Sequence, residues 1–371
     1  MKYRNLAGED VSILGFGAMR LPLLEDGSID KEESFRLFNM ALEEGINYYD
    51  TAWPYHGGKS EVVLGEWVGT VDREKVKLAN KLPSWAITSK EDMHKYLNLQ
   101  LEKMNVEYFD YYLIHALNRG YFDNLMNNNL IEFMNEVKEN GKVKHIGFSF
   151  HDEYEVFEEI IDSYDWEFCQ IQLNFLDEEY QAGLKGLKYA EDRNIPVIIM
   201  EPLRGGVLAN APESIAKIWD ESDRKEKPVS WALKYLWDKE NVKIVLSGMN
   251  VEEHLKENAK IADESEVNML TEKDHEIIEK VNKKYHEKIK VDCTGCNYCM
   301  PCPAGVNIPK CFEHYNKKSI LEDKKYNMYS IFMPPSAKAS NCVECGLCEP
   351  KCPQNINIID ELKNVVKEFG N

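Results

Sequence analysis

Eight times between Ile13 and Ala262 a short apolar run is followed by a helical one, and no other feature narrows the fold as far. The apolar runs are VSILGFG, NYYD, VKLANK, YFDYYLIH, VKHIGFSF, EFCQIQLNF, IPVIIMEPL and KIVLSGM. Between them, KEESFRLFNMALEEG carries helical spacing at Phe35, Phe38 and Met40–Leu42 and stops at Gly45. SKEDMHKYLNLQLEKM follows with Ser89 as its N-cap, and NLIEFMNEVKENGK ends at Gly141. Strands that alternate with helices imply a parallel sheet with crossovers. Eight repeats in about 250 residues suit a closed (β/α)8 barrel of the TIM type better than an open doubly wound sheet. No G-x-G-x-x-G opens a helix after a strand, so the dinucleotide fingerprint of the open sheet is missing.

The chain does not end with the repeats. At 371 residues it is long for one domain and short for three. A helix, TEKDHEIIEKVNKKYHE, leads into a lysine-bearing link before Cys293. Of ten cysteines, nine lie beyond residue 290, and Cys169 alone precedes them. The expected division is a barrel over 1–270, a connecting helix and linker over 271–290, and a small cysteine-rich domain over 291–371. A net charge of −19 argues against nucleic acid or an anionic membrane as partner. No apolar run approaches the roughly 20 residues of a membrane span. The start, MKYRNLAGED, lacks the apolar core of a signal peptide, so the expected location is the cytoplasm.

Polar residues gather at the C-terminal ends of the expected strands, where a barrel keeps its chemistry. Asp50 follows the second, Lys81 the third, His115 the fourth and Ser149 the fifth, with Gln170 in the sixth. Tyr55 lies five residues beyond Asp50, in NYYDTAWPYHGGKSE. Any one of these alone reads as a helix cap, a solvated lysine or a core histidine. All of them in successive units point to a site for carbonyl reduction. A phenol is a poor acid at neutral pH, and a nearby ammonium favours its phenolate. A carboxylate paired with that ammonium holds it, and an imidazole can orient the substrate oxygen. Hydride has to come from a nicotinamide, because none of these side chains can supply one. Trp53 and Trp85 suggest an aromatic-lined site, although an aromatic near a barrel mouth is as often packing.

The first 265 or so residues resemble the aldo-keto reductases. The resemblance is carried by YRNLAGEDVSILGFGAMRLP, NYYDTAWPYHGGKSE, LANK, DYYLIH, IGFSF, QIQLNF, MEPLRGG and LSGMNVEEHLKENA. It implies that Tyr55 is the proton donor, with Asp50, Lys81 and His115 completing a tetrad. It also implies an NADP(H) or NAD(H) site. Ser149 and Gln170 would hold the nicotinamide carboxamide, beside Gly17, Ala18, Met19, Asp50 and Met200. The Pro202–Gly206 loop, with Leu203 and Gly205, would pass along the pyrophosphate. Gly248, Met249, Asn250, His254, Glu257 and Asn258 would surround the adenosine end. Two residues depart from the family pattern. His254 stands where NADPH-specific members carry an arginine, next to Glu252 and Glu253, and a 2′-phosphate wants fixed positive charge. The choice between NADPH and NADH is therefore open. Met200 replaces an aromatic ring that many members stack on the nicotinamide.

The tail holds two runs, Cys293-x2-Cys296-x2-Cys299-x2-Cys302-Pro303 and Cys342-x2-Cys345-x2-Cys348-x3-Cys352-Pro353. The second is the run of bacterial [4Fe–4S] proteins, and the first differs by one residue in its last gap. Two runs imply two [4Fe–4S] clusters, with Cys302 and Cys352 exchanged between them. Structural zinc, which takes four ligands from paired C-x2-C, explains two triple runs less well. Cys311 lies outside both runs and reads as a buried helix thiol, as Cys169 reads as a strand core thiol. IPKCFEHYNKKS and the stretch before MPPSAKAS read as helical. The tail thus resembles a mainly α-helical dicluster ferredoxin module, and the whole chain a ferredoxin-tailed branch of the family found in anaerobes.

The expected function is an NAD(P)H-linked aldehyde or ketone reductase with two clusters for electron transfer. Hydride carries two electrons and a cluster passes one at a time, and a flavin normally bridges the two. No flavin motif is present, which is weak evidence because barrels bind flavin without one. The alternative is an electron-transfer protein in which the barrel holds a flavin or the tail serves a redox partner protein. A third reading leaves the clusters as staples for the C-terminus.

Overall fold

The structure is a computed structural model that describes residues 1–321, 326 and 328–370. Chain contacts separate two units. One is Met1–Pro202 with Ala232–Leu270, the other Leu203–Trp231 with Thr271–Asn371.

In the first unit a hairpin of β1 (Tyr3–Leu6) and β2 (Glu9–Ser12) precedes the repeats. This hairpin lies ahead of the eight repeats that start at Ile13 and is an addition to them. Eight parallel strands then close into a barrel. They are β3 (Leu14–Gly17), β4 (Tyr48–Asp50), β5 (Lys77–Leu82), β6 (Phe109–Leu117), β7 (Val143–Phe150), β8 (Phe168–Gln172), β9 (Val197–Met200) and β10 (Val242–Ser247). Closure comes from β10 pairing with β3 in the register Val245 to Leu14. Leu6 and Val11 of the hairpin join Tyr48, Tyr111, Phe168 and Ile244 in one buried cluster. Tyr48 and Phe168 begin their strands, so the hairpin stoppers the barrel end opposite the strand C-termini. The other end is left for chemistry.

The helices, in chain order, are α1 (Lys31–Glu43), α2 (Lys59–Val68), α3 (Lys90–Met104), α4 (Arg119–Asn127), α5 (Leu130–Glu139), α6 (Tyr154–Asp162), α7 (Gly183–Asp192), α8 (Glu213–Trp219), α9 (Pro228–Trp237) and α10 (Glu252–Glu264). Their ends follow from side-chain chemistry. Asp30 caps α1 by accepting the Glu33 N–H, and Ser89 caps α3 by accepting that of Asp92, as the sequence indicated. Asn105 ends α3 in the left-handed region, at φ 52°.

The packing of α2 on α3 depends on Gly65. A Cβ there would meet the Met104 carbonyl oxygen and lie 2.5 Å from the Met104 Cα, both rigid backbone atoms. Gly65→Ala is therefore expected to push the two helices apart and cost about 1–3 kcal/mol of stability. A lowered urea midpoint with an unchanged m-value would report it.

In the second unit the helices are α8 with part of α9, α11 (Glu272–His286), α12 (Ile308–Leu321), α13 (Met328–Phe332) and α14 (Ile358–Phe369). Thr271 and Asp274 form a reciprocal cap on α11. Val291, Val306, Phe312, Tyr329, Ile358 and Leu362 form the core of the tail. Part of the stretch before Met333 that reads as helical lies outside the described residues, and Met328–Phe332 is helix. No helix of the described residues is long and apolar enough to cross a membrane.

Candidate active site

Asp50 is the last residue of β4, and its backbone carbonyl accepts the Ala18 N–H at 2.8 Å. The chain then turns through Tyr55–Gly58 into α2. His56, Gly57 and Gly58 are all left-handed, at φ 51°, 63° and 84°. Two glycines make that turn cheap. His56 is held by its ring, whose Nε2 accepts the Leu21 N–H at 3.0 Å. The turn sets Tyr55 back over the barrel mouth.

Lys81, on β5, is wholly buried. Its Nζ donates to Asp50 Oδ1 at 2.5 Å and to the Thr51 carbonyl at 2.9 Å. Nζ lies 5.2 Å from the centre of the Tyr55 ring. Burial lowers the Lys81 ammonium from its ordinary range, with Asp50 and then Glu61 opposing. Burial likewise raises Asp50, with Lys81 opposing. The mutual attraction keeps each from neutralising alone. His115, on β6, stands edge-on to Tyr55 with ring centres 6.3 Å apart, and Trp85 packs on its other side at 5.1 Å. Burial, then the charges of Lys81 and His151, hold His115 well below an ordinary imidazole, so it is neutral at physiological pH. The structure therefore brings Asp50, Tyr55, Lys81 and His115 together.

Ser149 ends next to a break in β6, where Ala116 has φ 53° and donates its N–H to Ser149 Oγ at 2.7 Å. That hydroxyl retains its own proton to donate. Gln170 donates from Nε2 to Met200 Sδ at 3.4 Å, while its Oε1 is buried with no hydrogen-bond partner. A buried acceptor of this kind is costly unless a ligand satisfies it. A carboxamide would do so, which is the fit expected of a nicotinamide. Asn258 is buried and donates to Ser247 Oγ at 3.1 Å. Met249 is buried, while His254 is exposed.

Leu203–Gly206, expected along the pyrophosphate, belongs to the second unit, whereas Pro202 belongs to the first. Arg204, Gly205 and Gly206 are left-handed in succession. The buried Arg204 guanidinium pairs with Asp292, and Gly205 lies so close to the Thr294 carbonyl that no Cβ would fit. This loop is thus fastened to the residues that flank Cys293.

Sequence reasoning missed several neighbours of the site. Thr51 holds Lys81 through its carbonyl, which no side-chain pattern could disclose. Trp53, for which lining and packing were both open, has Lys103 over its ring at 3.7 Å and Tyr96 edge-on to it. His151 is the third. Its Nδ1 lies 3.2 Å from Gln181 Oε1, and burial lowers it to about 4 from an ordinary 6.5. A lowered folded-state pKa means that the unfolded chain takes up the proton first as pH falls. The stabilisation is then complete above the unfolded value and is lost on acidification toward the folded one. His151→Gln is expected to lose less Tm than the parent between about pH 7 and about pH 5, by differential scanning fluorimetry.

In the tail, Cys293, Cys296, Cys299 and Cys352 line one hollow with Ile308 and Phe312. Cys302, Cys342, Cys345 and Cys348 line a second, which Cys299 also borders. Burial, then the neighbouring Cys296, Cys293 and Cys352, push the Cys299 thiol up to about 12. Among the described residues no group of three or more His, Cys, Asp or Glu side chains is arranged to hold a metal ion. The thiols line these two hollows. Cys311 is buried in α12 with its Sγ 3.7 Å from the Ala337 carbonyl, and Cys169 is buried in β8.

A closed parallel barrel followed by a cysteine-rich helical unit matches known proteins in two parts. The pattern of the aldo/keto reductase family covers residues 13–283, and that of the 4Fe-4S dicluster domain covers residues 292–357. The chain belongs to the aldo/keto reductase family and carries a dicluster domain behind its barrel. It is 27% identical over 286 residues to L-galactose dehydrogenase of Arabidopsis thaliana, covering 70% of this chain and 86% of that one. It is 29% identical over 153 residues to a probable aldo-keto reductase of Glycine max, covering 38% of this chain and 42% of that protein. Among solved structures, the holo form of an aldo-keto reductase from Bacillus halodurans superposes with a TM-score of 0.65 at 24% identity, covering 76% of this chain and 96% of that one. An aldo-keto reductase of Klebsiella pneumoniae in complex with NADPH superposes with a TM-score of 0.62 at 18% identity, covering 76% of this chain and 95% of that one.

Proposed function

We propose that this oxidoreductase reduces an aldehyde or ketone with NADH or NADPH, and that its tail carries two [4Fe–4S] clusters. The observation that carries the reading is the buried Lys81–Asp50 pair beneath the ring of Tyr55.

The nicotinamide, when bound, supplies hydride to the carbonyl carbon. The chain supplies the rest. Tyr55 donates the proton to the carbonyl oxygen, and Lys81 stabilises the phenolate left behind. Asp50 keeps Lys81 in place through the 2.5 Å bond. Neutral His115 orients the substrate oxygen between Tyr55 and Trp85 without adding charge. Ser149 and Gln170 would hold the carboxamide, one as donor and the other as acceptor. In the tail, Cys293, Cys296, Cys299 and Cys352 would hold one cluster, and Cys302, Cys342, Cys345 and Cys348 the other. When bound, the clusters pass single electrons. The exposed His254, beside Glu252 and Glu253, supports tolerance of NADH.

The test is anaerobic purification followed by a visible spectrum, iron and sulfide analysis and a flavin assay. Brown protein without flavin that oxidises NADPH or NADH with 4-nitrobenzaldehyde supports the reading. Bound flavin would move the function to electron transfer, and colourless zinc protein would remove the clusters.

A further inference from the structure

Behind the Lys81–Asp50 pair lies a second buried carboxylate. Glu61, in the first turn of α2, is fully buried. One oxygen, Oε1, accepts from Asn80 Nδ2 at 2.9 Å and from Gln100 Nε2 at 2.8 Å. The other, Oε2, accepts from Lys103 Nζ at 2.6 Å. A carboxylate withdrawn from water this far is stable only with such partners.

Each partner reaches the reductase site. Asn80 Oδ1 accepts the Lys81 backbone N–H at 2.8 Å, and Gln100 Nε2 donates to the Lys81 carbonyl at 3.0 Å. The peptide on either side of Lys81 is therefore clamped by side chains, beyond the strand's own ladder. Lys103 extends the other way. Its Nζ lies 3.7 Å from the centre of the Trp53 ring, and 3.7 Å from where a Gly58 Cβ would be. Trp53 and Gly58 bracket Tyr55 in the chain. One carboxylate thus holds the strand that bears the ammonium and the turn that bears the phenol.

We propose that Glu61, acting through Lys103, Asn80 and Gln100, is a positioning residue that fixes the distance between Lys81 and Tyr55. This rests on the reading of Tyr55 as proton donor. Glu61 is fully buried with both carboxylate oxygens engaged by protein side chains, so its contribution is expected to fall on the rate and not on binding. A displacement of about 1 Å at such a centre costs up to about 10²-fold in rate.

The experiment uses the full-length holoprotein, with 4-nitrobenzaldehyde and NADPH as probes. Glu61→Gln is expected to lower kcat by at least about tenfold, with KM for the aldehyde and Kd for NADPH within about twofold of the parent. Lys103→Met is expected to do the same, and Lys103→Arg, which retains the ion pair and the cation over Trp53, is expected to restore the rate. Lys103 is partly exposed, so this pair carries the test if Glu61→Gln fails to fold. The control is Glu167→Gln, which removes a carboxylate that binds Lys138, His145 and the Ile146 N–H. It is expected to lower Tm while leaving kcat unchanged. Three outcomes overturn the proposal: kcat retained in Glu61→Gln and Lys103→Met, a rise in KM in place of a fall in kcat, or an equal fall in kcat in Glu167→Gln at matched Tm loss. Tyr55→Phe, assayed in parallel, separates this from failure of the proton-donor reading, since full activity there would remove that reading itself.

Discussion

Tyr55→Phe is expected to lower kcat for aldehyde reduction by about 10³-fold while nicotinamide nucleotide binding stays within about twofold of the parent. The substitution removes one oxygen and leaves the ring that Lys81 and His115 pack against. It therefore removes the proton without disturbing the geometry. The magnitude follows from the place of the phenol in the scheme. Among the tetrad, the phenol is the acid of the scheme. Lys81 is committed to Asp50 and the Thr51 carbonyl, and His115 stays neutral because burial and Lys81 both oppose its charging. Stopped-flow fluorescence of NADPH binding, set beside steady-state turnover, separates the two effects. Turnover equal to the parent would show that the proton comes from elsewhere, and a parallel loss of nucleotide binding would show that the hydroxyl helps to hold the cofactor.

What could be read from the sequence is what repeats or what is spaced. The eight units were legible because each strand is a short apolar run and each helix has its own period, and these are local properties. The tetrad was legible because barrel topology sends every strand end to one face, so residues from three units could be placed together without coordinates. The hairpin Tyr3–Leu6 and Glu9–Ser12 was overlooked because its strands carry Asp10, Glu9 and Arg4, and Leu6 and Val11 are its only fully buried apolar residues. For Trp53 the sequence left lining and packing open, because the lysine 50 positions later that lies over its ring cannot be placed from local pattern. The fastening of Arg204 to Asp292, 88 residues apart, was likewise invisible. Hydrogen bonds between side chains far apart in the chain leave no mark in composition or period, and the three bonds to Glu61 are of this kind.

The sharpest expectation for the tail concerns which cysteines act together. Cys352 stands with Cys293, Cys296 and Cys299, while Cys302 stands with Cys342, Cys345 and Cys348. If these groups are the ligand sets, the fourth ligand of each cluster comes from the other run. Single substitutions cannot show this, because every one of them is expected to remove about half of the iron. Pairs can. Cys302→Ala with Cys345→Ala falls within one hollow, so the double variant is expected to keep about half of the iron, as either single variant does. Cys302→Ala with Cys296→Ala falls across both hollows and is expected to lose nearly all of it. If each run instead served its own cluster, the two results would be reversed. Iron analysis after anaerobic reconstitution distinguishes the cases without any assay of turnover. Stability is expected to follow the metal. The described core of the tail centres on Phe312, Tyr329, Ile358 and Leu362 with the cysteines packed against it, so cluster binding is expected to contribute directly to its folding. The second double variant is therefore expected to lose the unfolding transition of the tail, while the first retains it at a lower temperature. Crossed ligation of this kind makes the runs mutually dependent: Cys293–Cys302 cannot close its hollow until Cys342–Cys352 has folded against it.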